Sequence, residues 1–470
     1  MVISFIICLA VFALIGISSV ISSRGTKADY YLASSSVRPW LVGLSAVATN
    51  NSGYMFIGVI GYTYVTGLAS VWLMVGWLLG DYLASLYVHR RLRDATQSSG
   101  EVSYSAVLAN WYGQNHSQLQ RVIGLVSLLF LITYASAQLL AGSKALHVLF
   151  HWPLWSGAVM GAVMVCAYCF AGGIRASIWT DAAQSVVMML AMGLLLFTAV
   201  QHLGGGSEVL QQWQQIDGFM NWVPRDLPFP GWVGGLMFAL SWLVAGWSVI
   251  GQPHVMVRFM TLDDNHGMNR ARVWYYLWFT IFYAMATAVG MLSRLFLADT
   301  GSFDAELALP TLAMELLPAA LVGLILAGIF AATMSTADSL VLSCSAAITH
   351  DLVPHRIERP LLLKLVTVAV TGVALLLALS GSQSVFSMVI LAWSGLGSAF
   401  APLLLALCLG ARPGQGLSLL ALVAGLAVAI GWRQLGWHAH VYEGLPGVLA
   451  GLLVLLPAIL RRPRAVTAQA

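Results

Sequence analysis

The chain alternates long apolar segments with short polar ones. Thirteen segments are apolar over roughly the 18–20 residues that cross the hydrocarbon core of a bilayer. They lie near residues 3–21, 41–68, 70–88, 122–149, 156–172, 177–200, 234–251, 273–297, 311–349, 361–380, 384–409, 414–432 and 444–460. The first segment has no basic residue before it and no small-residue cleavage site after it, so we expect a retained helix. The pattern predicts an all-α polytopic membrane protein with about 13 transmembrane helices.

Composition supports this fold class and excludes others. Of the 470 residues, 59% are apolar and 9% are charged, whereas soluble proteins have about 25% charged residues. A net charge of +4 spread over separate loops forms no basic stripe, so we expect no nucleic-acid partner. All the cysteines fall inside apolar segments, where they are interpreted as small hydrophobic residues rather than disulfides; they are Cys8, Cys166, Cys169, Cys344 and Cys408.

The distribution of basic residues predicts the orientation in the membrane. Of the 22 Lys and Arg residues, only Arg225, Arg294 and Arg433 fall in predicted outer segments, and Lys144 falls within a span. All the others, Arg258 among them, are assigned to inner segments. Since cytoplasmic loops carry the excess of Lys and Arg, we expect a multi-pass protein of the cell (inner) membrane. Its N-terminus would lie outside and its C-terminus in the cytoplasm.

Polar residues interrupt the second and seventh apolar segments. Residues 48–53 read Ala-Thr-Asn-Asn-Ser-Gly, and residues 247–254 include Gly251, Gln252 and Pro253. Glycine and proline weaken or remove backbone hydrogen bonds inside a span. Both sites are interpreted as broken helices, whose free carbonyls can hold a cation. The alternative for residues 48–53 is a helix interface joined by small and polar side chains.

The positions of these breaks predict the domain organisation. Two interrupted helices at matching places in two halves indicate the binding site of a transporter. They open two groups of five segments, at 41–200 and 234–409, which we interpret as inverted repeats. Residues 1–40 would form the first transmembrane helix with an inner loop, and residues 410–470 two additional helices with a short basic tail.

The ninth segment carries a polar face inside a span. Ser335, Asp338 and Ser339 follow helical spacing there, and hard oxygen ligands of this kind suit a small hard cation. Asp181, in the sixth segment, is expected at a similar depth. An acid inside a span is costly and should face protein or water. The alternatives are serines that bond back to their own helix and an aspartate at a helix start.

A further acid, Asp81, lies near the inner end of the third segment. We expect it to pair with Arg90 or Arg93, which follow it toward the inner loop. Such a pair would make this acid structural.

Several short motifs follow one another in a characteristic order between about residues 28 and 402. They are residues 28–33 (ADYYLA), 39–40 (PW), 45–46 (SA), 172–173 (GG), 179–181 (WTD), 251–254 (GQPH), 258–260 (RFM), 334–339 (MSTADS), 345–351 (SAAITHD) and 392–397 (AWSGLG). Together they resemble the sodium:solute symporter family, in particular its sodium/proline symporter branch. The resemblance implies a LeuT-type core of five-plus-five inverted repeats with sodium as the bound ion.

The resemblance also implies ligand sets for sodium. The primary site would use the carbonyls of Ala48, Asn51 and Ala332 and the hydroxyls of Ser335 and Thr336. Some members hold a second sodium, for which the matching residues are Asp181, Ser335, Asp338 and Ser339. Polar or aromatic residues near the breaks are the candidates for binding the solute: Asn50, Tyr54, Tyr134, Gln138, Trp247 and Gln252.

Two departures from the proline-transporting members leave the solute open. Those members carry aspartate at the position of Asn50, and Trp and Tyr at the positions of Ala245 and Val249. We expect Asn50→Asp to tighten sodium binding by restoring a charge. The solute is expected to be an amino acid such as proline, or a related carboxylate.

The sequence thus predicts a sodium-coupled secondary active symporter that imports a small organic solute by alternating access. Its partners would be sodium, the solute and the lipid bilayer. The sequence does not determine the oligomeric state, and a monomer is one of the alternatives. Proton coupling through Asp181 or Asp338 is the main alternative. A transporter-like membrane sensor is another, although such sensors carry a soluble output domain. An enzyme is not expected, since no Ser–His, Cys–His or metal motif is evident.

Overall fold

The computed structural model describes residues 1–227, 229, 231–297, 303–353, 357–380, 384–439 and 441–461. These residues form α-helices and short helical turns, with no β-strand among them. The α-helices are α1 (Val2–Ser18), α2 (Lys27–Leu32), α3 (Pro39–Asn50), α4 (Ile60–Thr66), α5 (Val71–Ser99), α6 (Tyr104–Ala109), α7 (Ser117–Phe150), α8 (Leu154–Gly172), α9 (Ile174–His202), α10 (Gly206–Gln215), α11 (Gly231–Trp247), α12 (Pro253–Met260), α13 (Met268–Phe296), α14 (Ala308–Leu316), α15 (Ala319–Ala346), α16 (Pro360–Ser380), α17 (Val385–Cys408), α18 (Gln415–Gln434) and α19 (Gly444–Leu460).

The predicted all-α polytopic fold is confirmed. Each predicted apolar segment coincides with one helix or with a pair of consecutive helices. Within the described ranges, 11 helical stretches are long and apolar enough to cross a membrane, and Gly444–Leu460 is a shorter apolar helix. One of these stretches, Tyr54–Ser99, joins two predicted segments, so the count of thirteen spans stays a prediction. Arg356, Arg462 and Arg464, which contributed to the predicted orientation, lie outside the described residues.

Both predicted helix breaks are present. Helix α3 ends at Asn50, Asn51 leaves the helical conformation (φ −87°, ψ 46°), and the chain resumes as a π-helical turn, Tyr54–Val59, that leads into α4. The second break follows α11 as a 3₁₀ turn, Ser248–Gly251, before Pro253 begins α12. Proline suits the first position of a helix because its fixed φ is helical and its missing N–H would have no partner there.

The segment before α3 and the segment after α12 are joined. The Val37 N–H donates to the Thr261 carbonyl (3.1 Å), and the Asp263 N–H donates to the Val37 carbonyl (3.0 Å). Arg93 Nε donates to the Leu262 carbonyl at 2.7 Å. Val37 before α3 and the residues after α12 are therefore hydrogen-bonded to each other, and Arg93 of α5 bonds to the same segment.

Helices α11 and α5 pack at very close range through glycines. A Cβ atom on Gly80 would lie 1.9 Å from the Leu243 carbonyl oxygen, and one on Gly246 would lie 2.1 Å from that of Trp77. Small residues allow this approach, which is a common way of joining helices in membranes. The contact holds α5 against the half-helix that precedes the second break.

The opposite end of the molecule is closed by Glu306, in the turn before α14. Its carboxylate accepts hydrogen bonds from Lys144 of α7, from Ser384 Oγ (2.7 Å) and from the Phe386 N–H (2.9 Å) at the start of α17. The same turn lies against α4, because a Cβ on Gly61 would be 2.7 Å from the Ala305 carbonyl. Glu306 thus links α4, α7 and α17.

Candidate functional site

The first break lies against α15 and forms a cluster of buried oxygens. Ser335 Oγ is 3.0 Å from the Ala48 carbonyl oxygen and 3.1 Å from that of Ala332. Thr336 Oγ1 donates to the Thr49 carbonyl at 2.8 Å. The C-terminal end of α3 also contributes the negative pole of its helix dipole. Uncharged oxygens in this arrangement can replace the hydration shell of a small hard cation.

The structure brings most of the predicted primary ligands together and places the carbonyl of Thr49 beside them. Ala48, Ala332 and Ser335 share the contacts above, and Thr336 bonds to Thr49, whose carbonyl was not predicted as a ligand. Asn51 lies at the break itself, where its Nδ2 donates to the Val47 carbonyl at 3.1 Å and its Oδ1 is buried without a hydrogen-bond partner. The contact of Thr336 with Thr49 could have been predicted from the sequence, because Thr49 lies between Ala48 and the break.

The two predicted acids share a buried arginine. Arg258 Nη2 is 3.4 Å from Asp181 Oδ2 and 3.8 Å from Asp338 Oδ1, and all three side chains are buried. The guanidinium also bonds to the Ser339 and Ser177 hydroxyls. The prediction that Arg258 belongs to an inner loop is therefore wrong. Its side chain is 0% exposed in α12, because the second break directs that half-helix into the core.

This cluster carries two acids and one basic group, hence one net negative charge when all are ionised. Ser45 Oγ donates to Asp181 Oδ2 at 2.6 Å, and Ser177 Oγ donates to Asp338 Oδ1 at 2.7 Å. Asp181 Oδ1 and Asp338 Oδ2 are buried without a partner. Asp181 lies about two turns inside α9, which begins at Ile174, so its interpretation as a helix-start residue is wrong.

A third buried acid occupies the other side of α3. Asp81 of α5 accepts hydrogen bonds from the hydroxyls of Tyr275 (2.6 Å) and Tyr276 (2.8 Å) and from Asn50 Nδ2 (3.4 Å). The predicted pairing of Asp81 with Arg90 or Arg93 is wrong. Helix α5 continues well beyond the predicted segment, to Ser99, and carries both arginines away from Asp81.

The remaining predicted solute residues surround the break itself. Gln138 Oε1 accepts the Gly53 N–H at 2.8 Å, and the Tyr134 hydroxyl bonds to Ser52 Oγ at 3.0 Å. Gln252, at the second break, donates from Nε2 to the Trp393 carbonyl at 2.9 Å. These hydrogen bonds connect α7 to the first helix break and α17 to the second.

Aromatic side chains that the sequence analysis missed form the walls of this region. Tyr54 lies 5.9 Å from Trp77 and 5.3 Å from Phe386, measured between ring centroids. Trp393 lies 4.9 Å from Trp77 and 6.3 Å from His254. Since Trp393 and His254 stand in the family motifs, those motifs could have indicated them. Trp247 is only partly buried, and its backbone nitrogen lies beside Gly80 of α5.

Several polar atoms of the side chains around the two breaks are buried without a hydrogen-bond partner. They are Tyr54 Oη, Gln138 Nε2, Gln252 Oε1 and both ring nitrogens of His254. Buried polar atoms are normally hydrogen-bonded. A few such atoms within aromatic walls are typical of a site for a small organic molecule.

Comparison with known families gives one match over most of the chain. A family model described as the sodium:solute symporter family matches residues 30–412. The sodium/proline symporter of Escherichia coli (strain K12) is 29% identical over 462 residues, which cover 94% of this chain and 90% of that protein. The high-affinity proline transporter PutP of Bacillus subtilis (strain 168) is 30% identical over 439 residues, covering 90% of each.

Solved structures share the fold. A Na⁺-coupled sialic acid symporter, solved in a substrate-bound outward-open state, superposes with a TM-score of 0.81 at 18% identity, covering 98% of this chain and 97% of the other. Mhp1, a nucleobase-cation-symport-1 family transporter, superposes with a TM-score of 0.61 at 16% identity, covering 92% and 94%.

Proposed function

This chain belongs to the sodium:solute symporter family, and from that membership we propose its ion ligands and the chemical class of its solute. It is a multi-pass membrane protein with a LeuT-type fold, and it imports a small organic solute together with sodium. It is a transporter and not an enzyme. The predicted family, fold class and coupling ion are confirmed.

The proposed primary sodium site lies between α3 and α15. Its ligands are the carbonyls of Ala48, Asn51 and Ala332 and the hydroxyls of Ser335 and Thr336. The contact between Ser335 Oγ and the Ala48 carbonyl carries this proposal, since it already joins one hydroxyl and one carbonyl of the set across two helices. Sodium would enter by separating this pair and taking both oxygens.

We propose an amino acid such as proline, or a related carboxylate, as the solute. The relatives named above include proline transporters. The half-helix that resumes after Gly53 points its positive end at the break, where it favours an anionic group. The unpartnered atoms of Tyr54, Gln138, Gln252 and His254 can bond to the polar groups of such a molecule, and Trp77 and Trp393 can cover its apolar part. We do not include Asn50 and Trp247 in this set, because Asn50 bonds to Tyr275 and Asp81 and the Trp247 backbone lies beside Gly80 of α5.

Transport by alternating access would use the two ends of the molecule in turn. The proposed repeats are residues 41–200 and 234–409, with the N-terminus outside and the C-terminus in the cytoplasm. Contacts between Val37 and residues 261–263 support a single inner unit made of α3 and α12. Contacts of Glu306 with α7 and α17 support an outer closure. One sodium per cycle is proposed, since Arg258 already supplies a cation to Asp181 and Asp338.

Uptake into proteoliposomes tests the proposal. At fixed pH and voltage, uptake of radiolabelled proline should require an inward sodium gradient. Competition by other amino acids, carboxylates and sugars would then define the solute class. Competition by sugars but not by amino acids or carboxylates would contradict the solute class. Uptake that follows a pH gradient without sodium would favour proton coupling through Asp181 or Asp338.

A further inference from the structure

Asp81 is a buried acid whose partners are all neutral. It is 0% exposed, ten residues into α5, and among the described residues its carboxylate accepts hydrogen bonds from Tyr275, Tyr276 and Asn50. In the part of the chain that the structure describes, no Lys, Arg or His forms an ion pair with it. Arg272 instead donates to the Ser85 carbonyl at 3.4 Å, one turn further along α5. An intramembrane acid without a basic partner indicates a functional role.

The hydrogen bonds connect this acid to the first helix break. Asn50 Nδ2 donates to the Tyr275 hydroxyl, and that hydroxyl donates to Asp81 Oδ2, so the donors all point toward the carboxylate. Asn50 is the last residue of α3. Its Oδ1 is buried without a partner, and its side chain is 6% exposed. The bonds to the Tyr275 hydroxyl and to the carboxylate therefore orient the side chain at the end of α3.

Helix α3 therefore separates two complementary features. Its carbonyls at Ala48 and Thr49 face Ser335 and Thr336 on one side, and Asn50 faces Asp81 on the other. The oxygens of the proposed ligands on the first side are uncharged, and the acid behind α3 adds a full negative charge on the opposite side of this helix. The width of one helix, about 10 Å, separates them. At an effective dielectric constant of about 20, a charge at that distance changes cation affinity on the order of tenfold.

We propose that Asp81 is a positioning residue for the transported sodium, acting through Tyr275 and Asn50 on the end of α3. This inference rests on the proposed sodium site. The three neutral donors keep the carboxylate satisfied while the ion is absent. When sodium enters the break, the buried charge on Asp81 becomes compensated.

Two variants test this role by removing or relocating the negative charge of Asp81. Asp81→Asn removes it at constant volume, and the sodium concentration for half-maximal uptake should rise about tenfold. The double variant Asp81→Asn/Asn50→Asp places the charge on the other side of the same contact and should restore sodium affinity. Tyr276→Phe is the matched control, because its hydroxyl bonds to Asp81 but not to Asn50. Solute affinity at saturating sodium should stay unchanged in all of them.

Each result decides the inference. Unchanged sodium dependence in Asp81→Asn overturns it, and so does a double variant that folds but recovers no affinity, since a purely structural role predicts no rescue. If Asp81→Asn does not fold, Tyr275→Phe tests the relay with the charge retained: a several-fold loss of sodium affinity supports it, and no loss contradicts it. Wild-type uptake that is independent of sodium would instead overturn the proposed function.

Discussion

Ser335 donates its hydroxyl to the Ala48 carbonyl at 3.0 Å, across the point where α3 stops being helical. The two residues are 287 positions apart in the chain, and they belong to different proposed repeats. A bound cation would replace this hydrogen bond by two ion–oxygen contacts. Sodium binding is therefore linked to the packing of α3 on α15.

Removal of either hydroxyl from α15 should weaken sodium binding. For Ser335→Ala and Thr336→Ala we expect half-maximal uptake at a sodium concentration at least tenfold higher. The loss of a ligand to a charged group costs about 1.5–3 kcal/mol when hydrogen bonds to charged groups are taken as a guide. Ser293→Ala and Thr371→Ala are matched controls, because those buried hydroxyls donate to the Val289 and Thr367 carbonyls of their own helices, away from the break. Equal sodium dependence in all four variants would place the ion elsewhere.

The loss of Arg258 should destabilise the protein strongly. Arg258→Gln leaves Asp181 and Asp338 buried without a basic group, and breaking a buried ion pair costs about 3–5 kcal/mol. Thermal unfolding of the purified protein measures this cost. Addition of Asp338→Asn should recover part of it, because the net charge of the cluster returns to its original value.

The exposed pair between Arg225 and Asp217 provides the comparison for Arg258. Both side chains are largely exposed, so Arg225→Gln should leave thermal unfolding almost unchanged. Equal effects of the two arginine substitutions would mean that the buried cluster is not an ion-pair network.

One sodium ion per cycle limits accumulation of the solute. An ion entering down about 100 mV yields about 2.3 kcal/mol, and a tenfold gradient adds about 1.4 kcal/mol, which supports roughly 500-fold accumulation of a neutral solute. The solute ratio at which flux reverses should be proportional to the sodium gradient at fixed voltage. A ratio that follows the square of the gradient, and returns to proportionality in Asp181→Asn, would instead assign a second sodium to Asp181, Asp338 and Ser339.

Glu306 should hold its contacts with α7 and α17 over the ordinary pH range. Burial by itself raises the pKa of Glu306, but Lys144 and the hydrogen bonds from Phe386 N–H and Ser384 outweigh burial and hold this pKa below its usual value of 4.5. A carboxylate with a lowered pKa stabilises the folded contact above its usual pKa and loses this effect only as pH falls through the lowered one. Between pH 5 and 8 the closure should therefore be independent of pH.

The Glu306→Gln variant tests this closure by removing the charge at neutral pH. In a cysteine-free background, a cysteine at Ser387 should react faster with an external thiol reagent when Glu306→Gln is added. The matched control is Glu208→Gln, on the exposed face of α10. Equal reaction rates in all three proteins would show that Glu306 does not hold α17.

Asn50→Asp alone should weaken sodium binding, contrary to the expectation from sequence. The new carboxylate would lie beside Asp81, whose Oδ2 is 3.4 Å from Asn50 Nδ2. Two carboxylates at that distance repel, so one of them takes up a proton and the hydrogen-bond relay is disturbed. Sodium-dependent uptake of the single variant, compared with the double variant that also carries Asp81→Asn, measures the difference. Tighter sodium binding in the single variant would contradict this interpretation.

The sequence by itself determined the helical spans, the two breaks and the polar face of α15. These features follow from local physics: glycine and proline interrupt backbone hydrogen bonds at Gly53 and Pro253, and an acid such as Asp338 is costly in lipid. Family motifs added the ion and the proposed ligands Ala48, Ala332, Ser335 and Thr336. In the structure Ser335 contacts Ala48 and Ala332, and Thr336 bonds to the adjacent carbonyl of Thr49.

Only the tertiary structure decided the partners of the buried charges. Arg258 and Asp181 are 77 residues apart, and Asn50 and Asp81 are 31 residues apart on different helices. In spans that are apolar on every side, hydropathy does not specify which face of a helix meets which neighbour. Close backbone contacts at glycines, such as Gly80 against the Leu243 carbonyl, set those rotations and thereby place Asp81 beside Asn50 and Arg258 between two acids.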